Sequence, residues 1–314
     1  MSAIAQAPEA AGTPAKKDKP SQGSFRRVVR QVLRQPAGIF GLAIVLLVIL
    51  VAIFAPFLAP YKLPYLPGQA SEWAKELGLN AEHVPGPSAA HPLGLDSYGQ
   101  DLLTQIIYGA RQTIVIGVVS TGIGLAIGAF LGLLAGGLGG KIDTAIMRLM
   151  DIMLSIPALL LAISIVSIMD RSPTAVMVAI GISQVPIFTR LLRGSLLGER
   201  RRDYVLAASS LGLRRPAIVT MEMMPNAAGP LIVQATLMLA TAVNSVAALS
   251  FLGLSTSEPT AAEWGLMLVK AQSRLGSAPI LAFAPGCAIA ITALGFTLLG
   301  EALREQLDPK SRPR

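Results

Sequence analysis

Asp203-Tyr204-Val205-Leu206-Ala207-Ala208-Ser209-Ser210-Leu211-Gly212-Leu213-Arg214-Arg215-Pro216 runs on through Glu222-Met223-Met224-Pro225-Asn226, a polar island between two long apolar stretches. A helix over 203–211 has a face of Ala and Ser, on which another backbone or side chain can approach closely. Gly212 suits the left-handed residue that ends a helix. Arg214 and Arg215 follow, and Pro216 favours a fresh helix start. The stretch predicts a short helix, a glycine break and a second helix, held between two membrane spans. That is the shape of a docking loop.

The rest of the chain fits a membrane setting. Of 314 residues, 53% are hydrophobic and only 14% are charged. A soluble domain of this length carries about a quarter charged residues. The single cysteine, Cys287, lies in an apolar run, so no disulfide within the chain and no zinc cluster is expected. His83 and His91 are the two histidines, too few for a metal site, and His91 reads as a loop residue beside a proline.

In chain order, residues 1–24 are rich in Ala, Pro, Lys and Ser without apolar periodicity and predict disorder, so 1–37 reads as a basic cytoplasmic N-terminus. Residues 38–58 form an apolar run long enough to cross a ~30 Å hydrocarbon core, and too long for the apolar region of a signal peptide. Residues 59–111 hold six prolines and read as an extracytoplasmic loop. Near its end, Asp96-Ser97 is placed to cap a helix with Leu102, Leu103, Ile106 and Ile107 on one face, suited to the membrane surface. A core domain over 112–300 follows, with spans at about 113–136, 145–169, 174–192, 227–252 and 280–300, a cytoplasmic loop at 193–226 and a cytoplasmic tail at 301–314. Pro157 is expected to kink the third span and Pro186 interrupts the fourth.

Gly124, Gly128, Gly132 and Gly136 recur every four residues in the second span, with Gly140 next. Small residues at that spacing let helices pack closely in lipid. Arg148 and Asp151 are three apart and within reach of each other on one helix face. Gln184 and Asn244 are polar points inside spans. Both are candidates to line a path, with packing against a neighbouring helix the competing role. Gly136-Gly137-Leu138-Gly139-Gly140-Lys141 is not a phosphate loop, because Ala135 and Ile142 stand where that motif needs Gly and Ser or Thr. No ATPase site is expected on this chain.

With the N-terminus in the cytoplasm, six spans return the C-terminus there. The inner segments then hold 20 Lys and Arg and the outer ones 6. That asymmetry satisfies the positive-inside rule and accounts for the net charge of +8 without a nucleic-acid partner.

Several motifs together resemble one family. Ala207-Ala208, Gly212 and Pro225 match the spacing of the coupling loop of ATP-binding-cassette (ABC) importer permeases. Leu206 stands where that signature has Glu, and Asp203 is placed to supply the acid instead. His91-Pro92-Leu93-Gly94-Leu95-Asp96 with Gly99, Asp101 and Tyr108-Gly109-Ala110-Arg111 resembles the dipeptide, oligopeptide and nickel branch, with Gln100 where Arg is usual. Phe251-Leu252-Gly253-Leu254, Glu263-Trp264-Gly265 and Leu307-Asp308-Pro309 resemble the same branch, and in particular its second, C-type permease.

The resemblance implies an all-α integral membrane protein of the type I importer fold with six transmembrane helices, in the inner membrane of a bacterium or archaeon. It implies half of a pore shared with a second permease subunit. It further implies two ATPase subunits or domains that dock on Asp203, Ala207, Ala208, Gly212, Arg214, Arg215 and Pro225, and an extracytoplasmic binding protein that delivers peptide. ATP and Mg would sit on the ATPase partners, with no cofactor on this chain and no catalytic residue. Nickel chelates or glutathione are the alternative cargoes. A secondary transporter would need ionisable residues or paired broken helices near the midplane, and a membrane enzyme a reactive constellation; neither pattern is present.

Overall fold

A computed structural model describes residues 31–59, 86–255 and 261–307. The basic stretch from Lys16 to Arg30, His83, most of the first outer loop, Pro259 and the Asp308-Pro309 motif lie outside the described residues. Nine helices of eight residues or more carry the described chain: α1 Pro36–Leu58, α2 Leu102–Leu138, α3 Gly140–Ser155, α4 Ala158–Ile168, α5 Pro173–Glu199, α6 Asp203–Ser210, α7 Met224–Phe251, α8 Trp264–Ala271 and α9 Ile280–Leu307, with a single short turn at Arg215–Ala217. A turn of π-helix, Ile218–Met223, leads into α7. No strand occurs among the described residues; Leu95 and Asp101 form an isolated bridge.

Among the described residues, five helices are long and apolar enough to cross a membrane, or up to six if α3 and α4 together make one span. The stretch read as a kinked span at 145–169 is broken in two: α3 and α4 meet at 93°. Proline supplies the reason. Pro157 has no N–H to continue the ladder, and it disfavours helical backbone at Ile156, which is extended at ψ 128°. The separate surface helix expected before residue 113 is also corrected. α2 is continuous for 37 residues from Leu102, about 55 Å at 1.5 Å per residue. Its cap is not Asp96-Ser97 but Asp101, whose carboxylate accepts from the Thr104 N–H and hydroxyl at 2.8 and 2.7 Å. Asp96 instead accepts from the backbone N–H groups of Tyr98 and Gln100 and closes the turn before it.

The glycine stripe sets how α2 meets α5. A Cβ on Gly128 would stand 2.6 Å from Phe188 Cβ, and one on Gly132 2.8 Å from the Thr189 carbonyl. Gly124 and Gly136 meet Gln184 and Leu196 at 2.9 and 3.0 Å. Gly181 of α5 returns the favour, with Ile123 of α2 at 2.8 Å. Backbones this close gain dispersion contact that bulkier residues would forbid. Gly140 is not part of this contact. It and Gly139 take φ of 61° and 70° and make the turn into α3, a conformation L side chains rarely adopt.

Candidate functional site

The loop between α5 and α7 is built by local chemistry. Asp203 lies in the first turn of α6, where a carboxylate favours the positive end of the helix dipole. At the other end, Gly212 takes φ 78°, its N–H reaches the Ser209 carbonyl and the Leu213 N–H reaches the Ala208 carbonyl. These two bonds satisfy carbonyls that a helix end leaves unpaired. Helix resumes at Arg215-Pro216. Just ahead of Pro225 the ladder widens, the Met224 N–H bonding back to Val219.

α6 has two faces. Val205 and Ala208 are buried in one cluster with Phe188, Leu192 and Leu196 of α5 and with Ile218, Met223 and Ala227 ahead of and within α7. Leu206 and Leu211 face outward, 59% and 81% exposed, beside Ala207, Arg214 and Arg215. Of the seven residues read as docking contacts, Asp203, Ala207, Gly212, Arg214, Arg215 and Pro225 lie at the surface. Ala208 does not: it is packed into the cluster shared with α5 and α7. The sequence reading missed Tyr204. Its hydroxyl donates to Glu199 at 2.6 Å and accepts from Asn226 at 3.3 Å, which ties α6 to the end of α5 and the start of α7. Burial, with Glu199 alongside, raises the Tyr204 pKa above the ordinary phenol value.

Two ion pairs cross from α3 to α5. Arg193 is bidentate on Asp143, with Nη2 to Oδ2 at 2.8 Å. Arg190 pairs with Asp151, and these side chains stay 47% and 55% exposed. The expected Arg148–Asp151 pair is corrected: α5 offers Asp151 a closer cation, and Arg148 is exposed. The pairs are eight residues apart on α3 and three on α5. That is about 12 Å of rise against about 4.5 Å, a difference the long Arg side chains and the helix crossing share.

A second polar group pins α8 to the rest. Glu263 is fully buried at its N-terminus, accepting from Ser255 at 2.7 Å and touching the Ser250 hydroxyl. Ser250 also lies 2.7 Å from the Val246 carbonyl, and has one proton for two acceptors. Burial lifts the Glu263 pKa above the usual carboxylate range, against the opposing pull of the hydroxyls of Ser250 and Ser255. Trp264 donates its indole N–H to Ile106 at 3.0 Å. Lys270 stands 3.9 Å from Asp96, its pKa lowered by burial against the opposing pull of Asp96. His91 contacts Asp101 at 3.0 Å, so it does more than sit beside a proline. Gln100 is fully buried, with both amide atoms unpartnered. Gln184 is packed against Gly124 between α2 and α5, away from any open face, whereas Asn244 is exposed on α7. Among the described residues no group of three or more His, Cys, Asp or Glu is placed to hold a metal.

Comparisons with known proteins agree with this architecture. A model described as the binding-protein-dependent transport system inner membrane component matches residues 128–313. A second, the N-terminal transmembrane domain of oligopeptide transport permease C, matches residues 23–70. A dipeptide transport system permease of Alkalihalophilus pseudofirmus is 41% identical over 232 residues, 74% of this chain and 76% of that one. A probable D,D-dipeptide permease of Escherichia coli is 40% identical over 75% and 78%. A glutathione permease of Pectobacterium atrosepticum is 37% identical over 91% and 90%. An inward-facing structure of the MetNI methionine ABC transporter aligns with TM-score 0.55 at 20% identity, over 65% of this chain and 97% of that one.

Proposed function

The chain belongs to the inner-membrane component family of binding-protein-dependent transport systems, the permeases of ABC importers, and from that membership we propose the following assembly. The chain forms one half of a translocation pore with a second, related permease. Two ATPase subunits or domains dock on the loop at 193–226 and carry the ATP and Mg. An extracytoplasmic binding protein delivers di- or oligopeptides. Both termini lie in the cytoplasm, as the 20-to-6 division of Lys and Arg requires.

The observation that carries this reading is the outer face of α6. Leu206 and Leu211 are apolar, exposed and outside any span, rimmed by Arg201, Arg202, Arg214 and Arg215. An apolar patch with a polar rim is what a protein partner covers. Its inner face, Val205 and Ala208, shares a core with α5 and α7. A push on α6 therefore moves both spans, and Tyr204 stiffens the joint. Opening and closing of the ATPase pair would then alternate access to the pore. Peptide cargo is supported by the relatives, which are named for dipeptides and for glutathione, itself a small peptide.

The test is to purify the detergent-solubilised chain from its native host, identify the chains that accompany it, and identify the ligand on the co-purified binding protein. ATPase subunits, a second permease and a peptide-loaded binding protein are expected. A preparation with no nucleotide-binding chain, or a binding protein loaded with a non-peptide, would overturn the corresponding part.

A further inference from the structure

An open groove of about 370 Å³ lies between α7, α8 and α9, within the range of about 300–1,000 Å³ that small-molecule pockets occupy. Its floor is made of small residues, Ala247 and Ala248 on α7 and Gly286 and Ala290 on α9, which is why it is concave. Phe251 and Leu268 lie toward the C-terminal end of α7, and a Cβ on Gly286 would meet nothing nearer than Leu268 at 4.0 Å. One lining side chain is polar, Asn244, seven residues before the end of α7, about 10 Å along the helix.

Neighbouring hydroxyls on α7 fold back on their own helix: Thr241 donates to Leu237 and Ser245 to Thr241. The Asn244 carboxamide has no partner among the described residues. It offers two donors and an acceptor to whatever fills the groove. Held against lipid, those groups would go unsatisfied at several kcal/mol. An acyl chain has no use for them. A neighbouring transmembrane helix has its own backbone amides already paired and would meet Asn244 only with a polar side chain of its own. A peptide in transit carries free N–H and C=O groups beside its side chains.

We propose that this groove is a cargo subsite of the translocation path, in which Asn244 hydrogen-bonds the peptide backbone and the Ala/Gly floor takes an apolar side chain. The proposal rests on the reading of this chain as a peptide permease. It makes the membrane subunit a contributor to selection by side-chain size. A pocket that accepts or rejects one methylene discriminates by about 10–200-fold.

The experiment uses the assembled complex in proteoliposomes, with Cys287→Ser as background. Ala248→Cys and Ala290→Cys should react with a hydrophilic cationic thiol reagent, and turnover with leucyl-leucine should slow that reaction. Gly286→Leu should lower leucyl-leucine uptake roughly tenfold more than glycyl-glycine uptake, and Asn244→Leu should lower both. Inert cysteines would place lipid in the groove. Efficient crosslinking of Ala248→Cys to the second permease would place a helix there. An unchanged leucyl-leucine to glycyl-glycine ratio in Gly286→Leu would mean cargo bypasses it. Each of these overturns the subsite while peptide import by the unsubstituted complex stands. A complex that imports no peptide at all overturns the functional reading itself.

Discussion

Tyr204 hydrogen-bonds Glu199 across the turn between α5 and α6, and Asn226 from the far side of the loop donates to the same phenol oxygen. One hydroxyl thus joins three segments that are adjacent in space, Tyr204 lying 5 residues from Glu199 and 22 from Asn226. Tyr204→Phe keeps the ring and removes both bonds, each worth about 1 kcal/mol, more for one to a carboxylate. The variant is expected to assemble and to hydrolyse ATP, but to import fewer peptides per ATP. Uptake and hydrolysis measured on one proteoliposome preparation check this; an unchanged ratio removes Tyr204 from the transmission route.

Docking and packing separate on α6. Ala208→Glu would bury an unpaired charge among Phe188, Leu192 and Met223 and destabilise the permease itself by several kcal/mol. Leu211→Asp, at a side chain 81% exposed, should leave the melting temperature within a degree or two and lose ATPase association. Thermal unfolding and co-purification, run on both variants, decide between the two faces. The assignment fails if Leu211→Asp retains its ATPase partners.

For the glycine stripe, Gly128→Ala already forces a Cβ to within 2.6 Å of Phe188, and Gly128→Leu more so. Both should lower the yield of folded protein, Leu nearly abolishing it. Gly122, on the same helix, has nothing within 4 Å of an added Cβ. Gly122→Ala should be neutral or stabilising by about 0.5–1 kcal/mol. Size-exclusion yield of the three variants is the measurement, and equal yields would mean α2 and α5 tolerate separation.

Glu263 gives a pH dependence with a definite sign. Its pKa is raised by burial, so the folded state holds the proton more tightly than the unfolded one. Stability from this group is greatest below the unfolded value of about 4.3 and is lost as pH rises through the raised folded value. Lys270, lowered by burial, acts in the opposite sense: its contribution is present above the ordinary lysine value and is lost as pH falls through its folded one. Glu263→Gln keeps the contacts to Ser250 and Ser255 and cannot ionise. Its melting temperature should therefore fall less between pH 4 and higher pH than that of the unsubstituted protein. Parallel curves would show that Glu263 does not titrate differently on unfolding.

Apolar runs and charge asymmetry made the membrane fold legible, because in lipid every span must satisfy its own backbone. The four-residue glycine spacing pointed to close packing, and α5 is where it packs. What escaped depended on contacts distant in sequence. Asp151 could be matched only to its neighbour Arg148 until α5 brought Arg190 to it. Ala207 and Ala208 are indistinguishable as letters, yet one faces out and the other in, because Val205 three residues earlier fixes which side of α6 is buried. Tyr204 gave no motif, and the motif that holds Glu263 did not reveal its partners. Their roles come from partners 22 and 13 residues away.

A stripe that repeats every four residues is nearly degenerate in register. Displacing α2 along α5 by one repeat, about 6 Å, brings each of Gly124, Gly128 and Gly132 to the place of the next. The surface that holds the two helices together does not by itself choose their alignment. That choice falls to contacts outside the repeat: Ile123 of α2 seated on Gly181 of α5 and, at the far end, Arg200 on the Gly137 carbonyl at 3.4 Å, while Trp264 of α8 holds Ile106. The pair is a rail with end stops, and loosening a stop would produce slippage by whole repeats before it produced separation.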